Sequence, residues 1–204
     1  MGTRFGVALL VGGVLLAGCG GAEDPEAGAT DGFQPVRVGA SGFSEGAPQP
    51  TVAGSLSVSK IVDGATFFAR VEDAGGTDLA EGENARFRLA GVDVPVEDDD
   101  CLARTSATHL EGTIRGGQQV RFVVAEGGDV EDPDGVPVHL WARGIWVNGE
   151  VLARGYGRDA GAGEGRRENL EAAQAFAEDG EQGLWNPSLC PADGGTPSPG
   201  AEEG

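Results

Sequence analysis

The chain has 204 residues, 39% of them hydrophobic and 6% aromatic, enough to build one domain core but not two. Thirty-seven glycines and 11 prolines stand well above ordinary usage, so part of the chain reads as linker. Fourteen basic residues face 33 acidic ones, and the net charge of −19 argues against a protein that coats nucleic acid through nonspecific phosphate contacts.

At the N-terminus, Met1 to Arg4 is short and positive, and Phe5 to Ala17 is apolar. That run of 13 residues is too short to span a bilayer as a helix and has the length of a signal-peptide core. Leu16-Ala17-Gly18-Cys19 follows, and it resembles a bacterial lipobox. The resemblance implies cleavage before Cys19 and acylation of that cysteine; an ordinary secretory signal that contains a cysteine is the alternative. Residues 1–18 are therefore expected to be a lipoprotein signal peptide, with the mature chain lipid-anchored at the extracytoplasmic face of the cell membrane. Residues 19–55 are rich in Gly, Ala, Pro, Glu and Asp. They carry too little apolar surface to offset ordering entropy and read as a flexible acidic linker, in which 33–38 can hold a short strand.

Residues 56–191 form the expected domain, and its 12 basic against 25 acidic residues show that the acidity is not confined to the tails. Leu56 to Val62 alternates apolar and polar residues until Asp63-Gly64, and Thr66 to Val71 resumes a strand. A long loop over 73–84 precedes a strand at 85–92, stopped by Asp93-Val94-Pro95. Apolar residues at 102, 103, 107, 110 and 114 predict a helix. Strands follow at 120–124, 136–141 and 144–148, then a short helix over 149–155 and a longer one over 166–179. Residues 192–204 read as a disordered tail. Strands in runs with segregated helices predict an α+β fold or a small barrel with helices attached, not alternating βαβ units.

Four segments stand in a telling order: Ile61-Val62-Asp63-Gly64-Ala65-Thr66; Phe87-Arg88-Leu89 leading to Val92-Asp93-Val94-Pro95; Val147-Asn148 with Leu152, Gly155 and Tyr156; and Gly183-Leu184-Trp185. Together they resemble the staphylococcal nuclease (thermonuclease) family over residues 56–190. The resemblance implies a five-stranded OB-type β-barrel with about three helices, which agrees with the element order. An exported address also permits a disulfide, and Cys101 and Cys190 are the cysteines that remain once Cys19 is set aside. Pairing them would tie the chain's end to the barrel rim; two free thiols are the alternative.

The family's chemistry, as the resemblance implies it, is calcium-assisted attack of water on a phosphodiester. It needs hard oxygen ligands for the metal, a carboxylate for the water and two arginines for the phosphate. One metal carboxylate falls on Ala65, which has no ligand atom in its side chain, and the other on Asp93, which is kept. Val94 supplies the main-chain carbonyl ligand. The general-base carboxylate falls on Val96, with Glu97 one residue beyond as a conceivable substitute. The first phosphate arginine is Arg88, and the second falls on Val136. His139 and Arg143 lie at odd spacing from Val136 and would point to the opposite face. Each lost charge lowers such a rate by about 10²–10³, so little hydrolysis is expected.

Glu97-Asp98-Asp99-Asp100 could hold calcium weakly with Asp93, but its spacing matches no calcium loop and a solvated acidic turn is the expected reading. The acidic loop of Asp129, Glu131, Asp132 and Asp134 is read the same way. With two histidines and no paired cysteines near them, no zinc site is expected. His109 reads as a surface or satisfied core residue, and Trp141, Trp146 and Trp185 as packing for the barrel and the last helix. Lys60, Arg70, Arg86, Arg88 and Arg121 lie on strands, yet alternation is expected to send only some of them to any one face. Nucleic-acid binding without metal is therefore not expected. The expected protein is a monomeric, non-catalytic binding or structural module with an unidentified envelope partner and no required cofactor, calcium being the candidate. A calcium-dependent extracellular nuclease with a remodelled site is the alternative.

Overall fold

In the computed structural model, which describes residues 53–95, 101–161 and 166–190, the first alternating segment is strand β1 (Gly54–Ile61). It starts two residues before the domain boundary read from sequence. β2 (Thr66–Asp73) returns antiparallel through a turn organised by Asp63, whose Oδ1 accepts from Ala65 N at 2.8 Å and Thr66 N at 2.7 Å. β3 (Asn84–Leu89) pairs antiparallel with β2. The expected continuation of this strand to Val92 does not occur. Gly91 takes φ 70°, a conformation open to glycine at no steric cost, and the chain turns there. Val92–Asp93 then forms a separate strand, β4, antiparallel to the later β8 (Arg158–Asp159).

Helix α1 (Cys101–Thr113) buries Leu110 and, just past its end, Ile114. β5 (Gln119–Val124) pairs with β1, and β6 (Val136–Ala142) pairs with β5. β6 also pairs in parallel with β3, which closes the order β3-β2-β1-β5-β6 on itself. The result is a closed five-stranded mixed barrel with three helices, an α+β fold consistent with the expected OB type. β7 is only Ile145–Trp146, shorter than the strand expected at 144–148, because α2 (Val147–Ala153) has already begun at Val147. α3 (Arg167–Asp179) and a 3-10 turn at Gly183–Trp185 complete the domain.

Two apolar clusters hold these layers. Inside the barrel, Phe67, Phe87 and Phe122 are fully buried, with ring centroids 5.6 Å and 5.8 Å apart in succession. Each such side chain contributes about 1.5–3 kcal/mol by leaving water. Outside it, Trp141 and Trp146 pack with Leu152, Ala153, Leu170 and Ala173 of α2 and α3. With a core on both faces, every residue of β6 is buried.

Asn148 joins the layers. It is fully buried; its Oδ1 accepts from Leu140 N at 3.0 Å, and its Nδ2 donates to Ala90 O at 2.9 Å and Val138 O at 3.0 Å. One side chain thus fastens α2 to β6 and to the turn after β3. The expected disulfide joins Cys101 to Cys190 with Cα atoms 5.8 Å apart, tying the start of α1 to the segment after the 3-10 turn.

Candidate functional site

β3 carries Arg88 outward, between the buried Phe87 and Leu89. Its guanidinium has partners of its own. Nη2 donates to Asp132 Oδ2 at 3.0 Å, and Nε donates to Gly135 O at 3.1 Å. Asp132 is held in place from its other oxygen, since Oδ1 accepts from Asp134 N at 2.9 Å. The hydrogen bond from Arg88, and after it that from the Asp134 amide, hold the Asp132 carboxyl below the usual carboxylate range. The acidic loop read as a solvated turn is therefore ordered by its own backbone. Glu131 N donates to Asp129 Oδ1 at 2.9 Å and Gly135 N to Asp132 O at 3.0 Å. This loop delivers a carboxylate to the arginine that the resemblance assigns to phosphate.

Ala65 is buried at 5% exposure, and its backbone carbonyl accepts from Leu89 N at 2.8 Å, so the position serves the barrel. Val136 is 2% exposed and sits opposite Phe87 in the parallel β3–β6 pair. The residue opposite Arg88 is Pro137. A side chain at 136 thus points into the apolar core, away from Arg88. His139 lies opposite Val123, near the Trp146 ring at 5.9 Å, and Arg143 Nη2 donates to Thr113 O at 3.0 Å; neither reaches Arg88.

A shallow depression of about 270 Å³ lies beside Arg88, lined also by Gly91, Gly128, Asp132, Pro137 and Gly161. Asp93, Val94 and Ala65 take no part in its walls. Asp93 is exposed on β4 opposite Arg158, and the Val94 side chain is buried. Calcium takes six to eight oxygens. Among the described residues no three His, Cys, Asp or Glu side chains cluster to hold a metal, and Asp93 with one carbonyl falls short of that set. The described residues alone do not make up the ion's ligand set. Val96, Glu97 and the rest of the acidic run at 98–100 lie outside the described residues, as does Cys19.

No protein-family model matches the chain, and no curated protein matches it significantly. The site must be read from its own chemistry.

The two histidines are placed by packing. His109 on α1 stacks on Tyr156 with ring centroids 4.2 Å apart, and burial lowers its pKa. His139 is 4% exposed, and burial, with the Arg166 guanidinium adding to it, pushes its imidazole down to about 3. Both are neutral aromatic packing groups at ordinary pH. Sequence reasoning missed Asp132 as the partner of Arg88; its only signal was an acidic residue in a loop leading into the strand that pairs with β3.

Proposed function

We propose that the chain is a cell-envelope protein, anchored through acyl groups on Cys19, whose OB-type barrel acts as a non-catalytic binding or structural module. The Arg88–Asp132 pair carries this reading. A phosphate-stabilising arginine must present its forked donors to substrate, and here Nη2 and Nε already have acceptors at 3.0 and 3.1 Å. Burial of Ala65 and Val136 supports it further, because both side chains pack in the apolar core of the barrel.

A cleavage assay tests it: the mature chain with calcium on single-stranded DNA. No turnover above the background of Arg88→Ala and Asp93→Ala is expected. Calcium-dependent cleavage that both substitutions abolish would replace this reading with that of a nuclease built on a remodelled site.

A further inference from the structure

The outward side chains of β1, β2 and β3 stand in register across the sheet. Lys60 lies opposite Phe68 and Phe68 opposite Arg86, which is half-buried, so one row holds a ring between two cations. The next row sets Arg70 between Ser57 and Asn84. Phe68 is 38% exposed, and Val62, two residues past Lys60, is 43% exposed; they are two of the three exposed large hydrophobic side chains among the described residues. Glu72 approaches Arg70 at 3.9 Å, but both are exposed and water screens the contact.

We propose that this face of β1–β3 docks the domain on an anionic lipid surface. Phe68 and Val62 enter the headgroup region, while Lys60, Arg70 and Arg86 meet lipid phosphates. Exposed apolar side chains set among cations complement a bilayer interface, where acyl chains begin beneath a negatively charged layer. A nucleic-acid strand would instead call for a series of rings to stack successive bases. Here Phe68 is a single ring, and the other exposed apolar side chain, Val62, is aliphatic. The charge of the whole domain adds orientation. With 25 acidic and 12 basic residues over 56–191, its remaining surface is repelled by the same membrane, and the basic face turns toward it. The inference adds a docking face to the envelope reading, yet it needs no acyl group, so the two fail separately.

Co-sedimentation of the mature chain carrying Cys19→Ala, with vesicles of phosphatidylcholine alone or mixed with phosphatidylglycerol, provides the test. Binding to the mixed vesicles alone is expected, weakening as salt is added. Removing Lys60 and Arg86 together (K60A, R86A) should lower the partition coefficient by roughly 25-fold, about fivefold for each cation. Phe68→Ser should lower it without changing its salt dependence, and Arg167→Ala, at an exposed position of α3, should leave it unchanged. Circular dichroism verifies that each variant folds; should the double variant not fold, Arg70→Glu on an exposed position supplies the same readout. Equal partition onto both vesicles, no binding to either, or equal loss with Arg167→Ala would overturn the proposal. Metal-free binding of a single-stranded oligonucleotide in place of vesicles would overturn it too, and would assign the face to nucleic acid.

Discussion

Arg88 and Asp132 stand 44 positions apart, and each defines what the other can do. On the strand, Arg88 is a ready phosphate ligand; beside Asp132 it is half of a partly exposed ion pair. His139 shows the same dependence on surroundings. Its imidazole stays neutral in the fold down to about pH 3, whereas an unfolded chain binds that proton near 6.5. Between those values the unfolded state holds more protons, so stability is lost as pH falls from about 6.5 toward 3. The slope from one such group is about 1.4 kcal/mol per pH unit. His109, also lowered by burial, acts in the same direction. Asp132, with its depressed carboxyl pKa, adds stability above the ordinary carboxylate range that is lost only at still lower pH. Chemical denaturation between pH 7 and 4.5 should therefore give a shallower stability slope for His139→Gln than for the wild type. Parallel slopes would mean that His139 is protonated within the fold.

Elements are joined here by a few polar contacts with no apolar substitute. Asn148 satisfies one amide and two carbonyls from two segments, β6 and the turn after β3. Asn148→Ala would leave these groups buried without partners and should lower unfolding free energy by about 2–4 kcal/mol in urea titrations. A loss under about 0.5 kcal/mol would show that water takes the amide's place. Close backbone approach does similar work at the C-terminal end. Leu184 N donates to Gly155 O at 2.7 Å, and a Cβ on Gly155 or Gly183 would run into the other segment's backbone. Both take positive φ, 69° and 54°, so these two glycines of the recognised segments are required by geometry. The 3-10 turn is thereby seated against the end of α2, and the Cys101–Cys190 bridge closes a separation of 89 residues around it. In loop-entropy terms that closure contributes on the order of 4 kcal/mol.

At the scale of the whole molecule, charge and anchorage act together. Among the described residues no helix is long and apolar enough to cross a membrane. Attachment through Cys19 would hold an acidic domain close to a surface that repels most of it, leaving β1–β3 as the side of approach. Cys19→Ala should move the protein from the membrane fraction to the soluble one, because a weak basic face alone gives reversible contact. If the variant remains with membranes after a high-salt wash, the anchor lies elsewhere in the chain.

Most strands and the helix order were legible in the sequence because they depend on local periodicity, as in the alternation at 56–62 and the helical period at 102–114; the OB-type barrel was expected from the resemblance of four segments, not from periodicity. The disulfide was legible by elimination among three cysteines. The ends of elements were less so. Val92 has the side chain of a strand residue, and only the turn at Gly91 and the pairing with Arg158–Asp159 remove it from β3. That Ala65 and Val136 lack the charged groups the resemblance implies there could be read directly, since a missing side-chain group needs no fold to reveal it. That Arg88 meets Asp132 could not, because the contact depends on a parallel β3–β6 pair between distant segments. The basic face is the same case. Alternation within a strand tells which residues share a side, but the register between strands, including the shift between Val58 and Lys60, sets Lys60, Phe68 and Arg86 in one row. Composition and periodicity determined which elements this chain builds and the α+β class they belong to; tertiary register decided which of its charges meet, because electrostatic partners are chosen by distance in space and not along the chain.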